Sequence, residues 1–199
     1  MEKPHCTACD KNRDPILSVI RPLLSDCSAV LEIGSGTGQH AVYFAERLPH
    51  LVWYTSDRQE NHAAIAAWLD DAATANVRRP LQLDVTQEHW PVVEKVQVVF
   101  SANTAHIMSW SEVQEFFAGV GRLLPAGGKF MLYGPFNYNR EYTSQSNAEF
   151  DAWLKQRDPG SGIRDFEELN RLALDSGLLL VTDYSMPANN RLLYWQKRG

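Results

Sequence analysis

Cysteine is scarce in this chain: Cys6, Cys9 and Cys27 are the only three among 199 residues. Three thiols cannot all pair within one molecule, and their placement builds no secreted disulfide framework, so a reducing compartment is expected. Long apolar runs are missing too. No stretch reaches the roughly 18 consecutive apolar residues of a membrane helix, and the first 14 residues are polar, without the apolar core of a signal peptide. A cytoplasmic protein with no membrane partner is expected. Positive charge is in deficit, with 19 Lys and Arg against 24 Asp and Glu for a net charge of -5, which repels a polyanion and disfavours a nucleic-acid partner. No repeat or low-complexity tract occurs. What is present is ordinary: 44% hydrophobic and 22% charged residues exclude disordered, collagen-like and coiled-coil classes, and the length suits one domain with a real core.

Five short apolar runs alternate with helical patterns as far as residue 133, the signature of a parallel sheet. The first covers residues 29–33 and runs straight into Gly34, Gly36 and Gly38, after which a helical stretch over 39–48 is stopped by Pro49. A second strand is expected over 51–56, ending at Asp57, and its crossover helix over 61–72, with Ile65, Trp68 and Leu69 on one face. The third strand is expected at 81–85. A short segment over 90–93 leads to the fourth, 96–102, whose near-continuous apolar character suits a central strand. Val113, Phe116, Val120 and Leu123 recur at helical spacing behind Ser109 and Glu112, a capping-box pair, and Pro125, Gly127 and Gly128 end that helix. Residues 129–133 are the fifth strand.

Upstream, a helix over 15–24 is expected, with Asp14 as its N-cap and Pro15 in the first helical position, packing as a lid or flank. Downstream come an aromatic, Asn-rich connection over 134–145 and helices near 148–155 and 165–176, the second ended by Gly177. The last two runs, 178–184 and 191–197, are joined by too few residues for a parallel crossover and must pair antiparallel. The expected fold is therefore α/β and Rossmann-like: a seven-stranded, mostly parallel sheet, helices on both faces, and a C-terminal antiparallel hairpin. One domain is expected, with residues 1–28 as an N-terminal flank, 29–133 as a cofactor-binding core and 134–199 as the substrate-side connection, helices and hairpin.

The strongest chemical signal is Glu32, Ile33, Gly34, Ser35, Gly36, Thr37 and Gly38, where glycines let the backbone turn tightly at the carboxyl end of the first strand and approach a ligand. A dinucleotide fingerprint puts its third glycine three places after the second; here that place is Gln39, so the spacing is wrong for NAD. Glu32, two residues before the first glycine, would repel a pyrophosphate and attract a cation. S-adenosylmethionine, with its ammonium and sulfonium and no phosphate, meets that requirement. Asp57 follows Glu32 by 25 residues, near the offset of about 20 at which a carboxylate reaches ribose hydroxyls. Asp84 is placed to accept a hydrogen bond from an adenine amine, with the Val85 backbone completing adenine recognition. Each Asp alone is more often a cap or turn residue, but three acids at three successive strand ends form a pattern.

With those residues in view, the chain resembles the class I S-adenosylmethionine-dependent methyltransferases over almost its whole length: Glu32 to Gly38 as their first motif, Asp57 and Asp84 as the second- and third-strand acids, and the terminal hairpin. More narrowly, Asn12, Arg13, Asp14, Pro15, Ile16 and Leu17, with Tyr133, Gly134, Pro135 and Phe136, resemble the methyltransferase-like 26 family, described mainly as a domain of unknown function. The resemblance implies Glu32 near the methionine end of the cofactor, Gly34 and Gly36 beneath it, Ser35 and Gly38 in the same turn, Asp57 on ribose, Asp84 on adenine, and Arg13 as a partner for the methionine carboxylate.

Methyl transfer needs alignment in a closed, water-poor site more than a catalytic triad, and a base helps when the acceptor is protonated. Asn103 and His106 follow the fourth strand, and Tyr133, Asn137, Tyr138 and Tyr142 close or follow the fifth; His106 is the candidate base, with Asn103 and Tyr133 beside it as candidate catalytic residues. Adenine and amide N-methyltransferases carry Asn or Asp, Pro, Pro and an aromatic here, whereas this chain reads Ser101, Ala102, Asn103, Thr104, Ala105, His106. A small-molecule acceptor is expected; a protein methyltransferase and a non-catalytic S-adenosylmethionine-binding module are the alternatives. Cys6 and Cys9 have zinc-like spacing without a second ligand pair, and His40, His50, His62 and His89 have no ligand spacing, so no metal and a flexible N-terminus are expected.

Overall fold

The computed structural model describes residues 3–72, 74–91 and 95–199. Contacts gather into two compact units, Met1–Ser101 and Ala102–Gly199. In the first, the apolar run over 29–33 forms β1 (Ala29–Ile33), buried at every position, as a strand with neighbours on both sides requires. It pairs in parallel with β2 (Val52–Asp57) and with β4 (Val98–Ala102), and β2 pairs in parallel with β3 (Val77–Gln82). The order within this unit is β3-β2-β1-β4. Helices α2 (Gln39–Arg47) and α3 (His62–Asp71) follow β1 and β2. Phe44, Trp53 and Phe100 pack their rings 5.4–5.9 Å apart as the aromatic centre of this unit.

Three expectations in this unit need correction. The N-terminal helix, α1 (Thr7–Leu23), starts eight residues before Pro15 and carries Pro15 and Pro22 inside it. Cys6 is its N-cap, the sulfur accepting from Cys9 N–H at 3.2 Å, so residues 5–9 form the start of a docked helix and not a flexible tail. Contacts with α2 hold the helix through the proline, against the usual cost of about 3 kcal/mol for one in a helix interior. The third strand lies at 77–82 and not 81–85. It occupies a sheet edge, where the missing N–H of Pro80 breaks no ladder and Arg78 and Arg79 discourage further pairing. The segment expected over 90–93 reaches Val92 and Val93, which lie outside the described residues.

In the second unit, α4 (Trp110–Leu123) begins with the expected capping box: Ser109 Oγ accepts from Glu112 N–H and the Glu112 side chain accepts from Ser109 N–H. Next come β5 (Lys129–Gly134), β6 (Phe136–Asn137), α5 (Gln145–Arg157), β7 (Arg164–Asp165), α6 (Phe166–Asp175), β8 (Leu178–Met186) and β9 (Asn190–Lys197). β5 pairs antiparallel with β9, and β9 antiparallel with β8, as the short connection demanded. The rings of Phe116, Phe117, Phe130 and Trp195 make this unit's centre, 5.3–5.8 Å apart. The parallel pair of β6 and β7 is an unexpected addition of two residues each. The seven longer strands belong to one mixed, mostly parallel sheet ending in an antiparallel hairpin. Among the described residues, no helix is long and apolar enough to cross a membrane.

Candidate functional site

Beyond Ile33 the chain reverses through Gly34, Gly36 and Gly38, with φ of 73°, 58° and 87°, a region where a side chain costs about 1–2 kcal/mol. The alternation keeps the turn tight. Gly34 and Ser35 N–H both donate to Ser56 O at 3.0 Å, and Gly38 N–H returns to Ser35 O at 2.8 Å. Gly38 is then the N-cap of α2, where a Cβ would sit 3.2 Å from the Ile65 Cα. At Gly36 a Cβ would meet nothing within 4 Å. The middle of the turn therefore faces open space.

Asp57, the last residue of β2, reaches across to this turn: its Oδ2 accepts from Gly36 N–H at 2.7 Å, and its Oδ1 accepts from Arg58 N–H and Asn61 Nδ2, both at 2.8 Å. Glu32 lies beneath. Its Oε2 accepts from Ser35 Oγ and Trp53 Nε1, both at 3.1 Å. Burial pushes its carboxyl up to about 8, opposed by those two hydrogen bonds and aided by the negative charge of Asp57. Asp84 stands two residues beyond β3, in a turn: Oδ1 accepts from Thr86 N–H at 3.0 Å and Thr86 Oγ1 at 2.8 Å, and Oδ2 pairs with Arg58 Nε at 3.4 Å. The Thr86 backbone bond is the main reason its carboxyl is held below the usual value. Val85 next to it is buried.

Arg13 projects from within α1. Its Nη1 pairs with Asp10 at 3.0 Å and its guanidinium lies over the Tyr43 ring at 4.7 Å, while Nε is buried and, among the described residues, has no hydrogen-bond partner. Among these residues, no three His, Cys, Asp or Glu side chains converge as metal ligands.

The residues expected on the acceptor side belong to the second unit. Asn103, just past β4, is left-handed at φ 60°, and its N–H donates to Tyr133 O at 2.9 Å. Tyr133 is buried within β5. His106 is also buried, its ring edge-on to Phe150 at 5.2 Å. The absent side chain of Gly134 leaves room beside it: a Cβ there would lie 3.8 Å from His106 Nδ1. Burial first, and the Arg164 cation second, press the imidazole down to about 4, so it is neutral at neutral pH. Tyr138 and Tyr142 are committed elsewhere, donating to Asp183 and Asp151, both at 2.7 Å.

A family described as "Protein of unknown function (DUF938)" matches residues 3–197. The chain belongs to the DUF938 family. Solved structures similar to this DUF938 chain include the S-adenosylmethionine-dependent methyltransferase SibL in its apo form, with a TM-score of 0.80 at 17% identity. Human N-acetylserotonin methyltransferase in complex with SAM gives 0.80 at 13% identity, and PigF with SAH gives 0.81 at 16%. Each match covers 94–96% of this chain and 53–56% of the other, so the chain spans about half the length of these relatives in structure. The likeness shows the fold, a class I methyltransferase-like one.

Several side chains around these positions escaped the sequence reading. Gln39, directly after Gly38, accepts from Cys6 N–H and Thr37 Oγ1, and its Nε2 reaches Cys6 O and Asp10 Oδ1 at 3.4 Å, fastening α1 beside the glycine turn. His40 Nε2 lies 2.7 Å from Asn12 Oδ1; burial holds this imidazole at about 4, so the neutral ring donates to the amide oxygen. Tyr43 OH donates to Asp14 Oδ1. The segment from Asn12 to Asp14 thus grips the first turns of α2. Its resemblance to a family motif was a signal for this; nothing in residue type or spacing singled out Gln39 and His40.

Proposed function

We propose that this DUF938 protein transfers a methyl group from S-adenosylmethionine to a small-molecule acceptor. The observation that carries the reading is the open, left-handed Gly36 with its N–H on Asp57, above a buried glutamate. The residues fit such a donor: there is free space over the turn, an acceptor-only carboxylate at its edge, and in Arg13 Nε a buried donor still lacking the partner that a carboxylate would be. When bound, the donor supplies a methyl group on a sulfonium, already an activated leaving group. Asp57, at the edge of the turn, would hold the ribose hydroxyls, Asp84 and the Val85 backbone would hold the adenine, and Gly34, Ser35, Gly36 and Gly38 would lie beneath the donor. Burial holds the Glu32 carboxyl at about 8, so it is mostly uncharged at neutral pH, and a cation bound near it would favour release of its proton to solvent.

On the acceptor side, neutral His106 would accept a hydrogen bond from the acceptor's hydroxyl or amine and orient it, with Asn103 and Tyr133 as its candidate companions; held at about 4, the imidazole is a weak base and serves alignment more than proton removal. The small-molecule preference is supported by the net negative charge and by the kind of protein among the structural neighbours, N-acetylserotonin methyltransferase for one.

Incubating the protein with methyl-labelled S-adenosylmethionine and a fractionated cell extract tests the reading. Label is expected in the small-molecule fraction. Label confined to protein would make the protein a protein methyltransferase, and no label, with S-adenosylhomocysteine still bound, would make it a binding module.

A further inference from the structure

The turn that carries His106 is held by residues 161–164. Between β4 and α4, the four consecutive carbonyls of Ala105, His106, Ile107 and Met108 all accept hydrogen bonds from residues 161–164. Arg164 Nε donates to Ala105 O at 3.1 Å, Gly162 N–H to His106 O at 2.9 Å, and Ser161 Oγ to Ile107 O at 3.2 Å. Arg164 Nη2 donates to Met108 O and, at 2.7 Å, to Gly160 O. One planar guanidinium thus brackets His106 in sequence and ties its turn to the segment that answers it. A lysine, a single point charge, cannot span these diverging carbonyls.

The clamp is itself anchored. Asp151 on α5 is 2% exposed, and its Oδ1 accepts from Ile163 N–H at 2.7 Å while its Oδ2 accepts from Lys155 Nζ and Tyr142 OH. Gly162 has φ 157°, and a Cβ there would press on Asp151 Oδ1 at 3.0 Å, so the segment fits only with glycine. Arg164 is half-buried, in the field of Asp151, Glu168 and Glu112, and is the charged group that acts on His106. Such a cation, with three backbone carbonyls as hydrogen-bond partners and, among the described residues, no carboxylate directly paired to it, is committed to holding backbone.

We infer that Arg164 is the positioning residue of the acceptor side: it fixes the 105–108 turn and so sets the orientation of the His106 imidazole. This rests on the role given to His106 above. The test needs neither donor nor acceptor, so its failure is separable from failure of that reading: the His106 ring is titrated by NMR and hydrogen exchange of the Ile107 and Met108 amides is followed in the whole chain. In Arg164→Gln the His106 midpoint is expected to rise by about one unit and the two amides to exchange at least tenfold faster. In Arg164→Lys, which retains the charge, the midpoint stays low while exchange still accelerates, so this variant carries the test should the first not fold. Leu169→Ala, a cavity in α6, serves as a destabilised control with His106 unchanged. Wild-type exchange at residues 107 and 108 in the Arg164 variants, or an equal shift of His106 in the control, would overturn the inference.

Discussion

Three buried titratable side chains, Glu32, His40 and His106, pull the pH response of this protein in opposite directions. Glu32 titrates near 8 in the folded chain against an ordinary 4.5, so the folded state keeps a proton that the unfolded state releases. Its contribution is full below 4.5 and is lost as pH rises through 8, at up to about 1.4 kcal/mol per pH unit. His40 and His106 act oppositely: both fall to about 4 from 6.5, so stability is lost as pH drops below 6.5 towards 4. Among these three, two histidines outweigh one glutamate on the acid side and the glutamate acts alone above, so their combined contribution is greatest near 6.5. Urea unfolding at pH 5, 6.5 and 8.5 should show Glu32→Gln losing the alkaline decline and steepening the acid one. A decline of unchanged size in the variant would contradict the assignment. The glycines offer a second residue-scale comparison. Gly38→Ala meets both a left-handed φ and the Ile65 backbone, and should lose more stability than Gly36→Ala, whose penalty is the conformation alone, about 1–2 kcal/mol. Gly36→Ala should instead weaken S-adenosylhomocysteine binding at least tenfold, because its methyl enters the space that the ligand needs. Equal affinity for wild type and Gly36→Ala would remove the ligand from that space.

Elements held by their own sequence were the legible ones. β1 and the α4 capping box declare themselves by an unbroken apolar run and by Ser109 with Glu112. Those held by tertiary contact were not. α1 passes through Pro15 because Asn12 and Asp14 fasten to α2, and β3 accepts Pro80 because it is an edge. Asn12→Ala therefore leaves the buried His40 N–H unpaired and should cost about 1–3 kcal/mol, read as a lowered unfolding midpoint; an unchanged midpoint would mean that α1 is held by other contacts. α4 and α6 meet where Gly121 lies against Ser176, and a Cβ would come within 2.5 Å of the Ser176 carbonyl. Gly121→Ala should destabilise by about 1–3 kcal/mol through overpacking, checked by the same measurement.

For the whole molecule, the fold was readable because alternating apolar runs, a glycine turn and a terminal hairpin leave few topologies open. Of the acids expected on the donor side, Glu32 and Asp57 could be placed for a related reason, since they lie in β1 and at the end of β2, whereas Asp84 stands two residues beyond β3 in a turn. His106 could be singled out as a candidate by residue type, but not the contacts behind its turn, since residues 161–164 are far along the chain and carry no residue pattern that pairs them with 105–108. The claim beneath the functional account is that the glycine turn accepts a cationic, phosphate-free donor. Calorimetry on the wild-type protein and Asp57→Ala, with S-adenosylhomocysteine and NAD as ligands, tests it most directly. S-adenosylhomocysteine should bind the wild type and lose at least tenfold in affinity with Asp57→Ala, about 1.4 kcal/mol, while NAD gives no heat. Binding of NAD, or no S-adenosylhomocysteine binding by a folded wild-type protein, would contradict it.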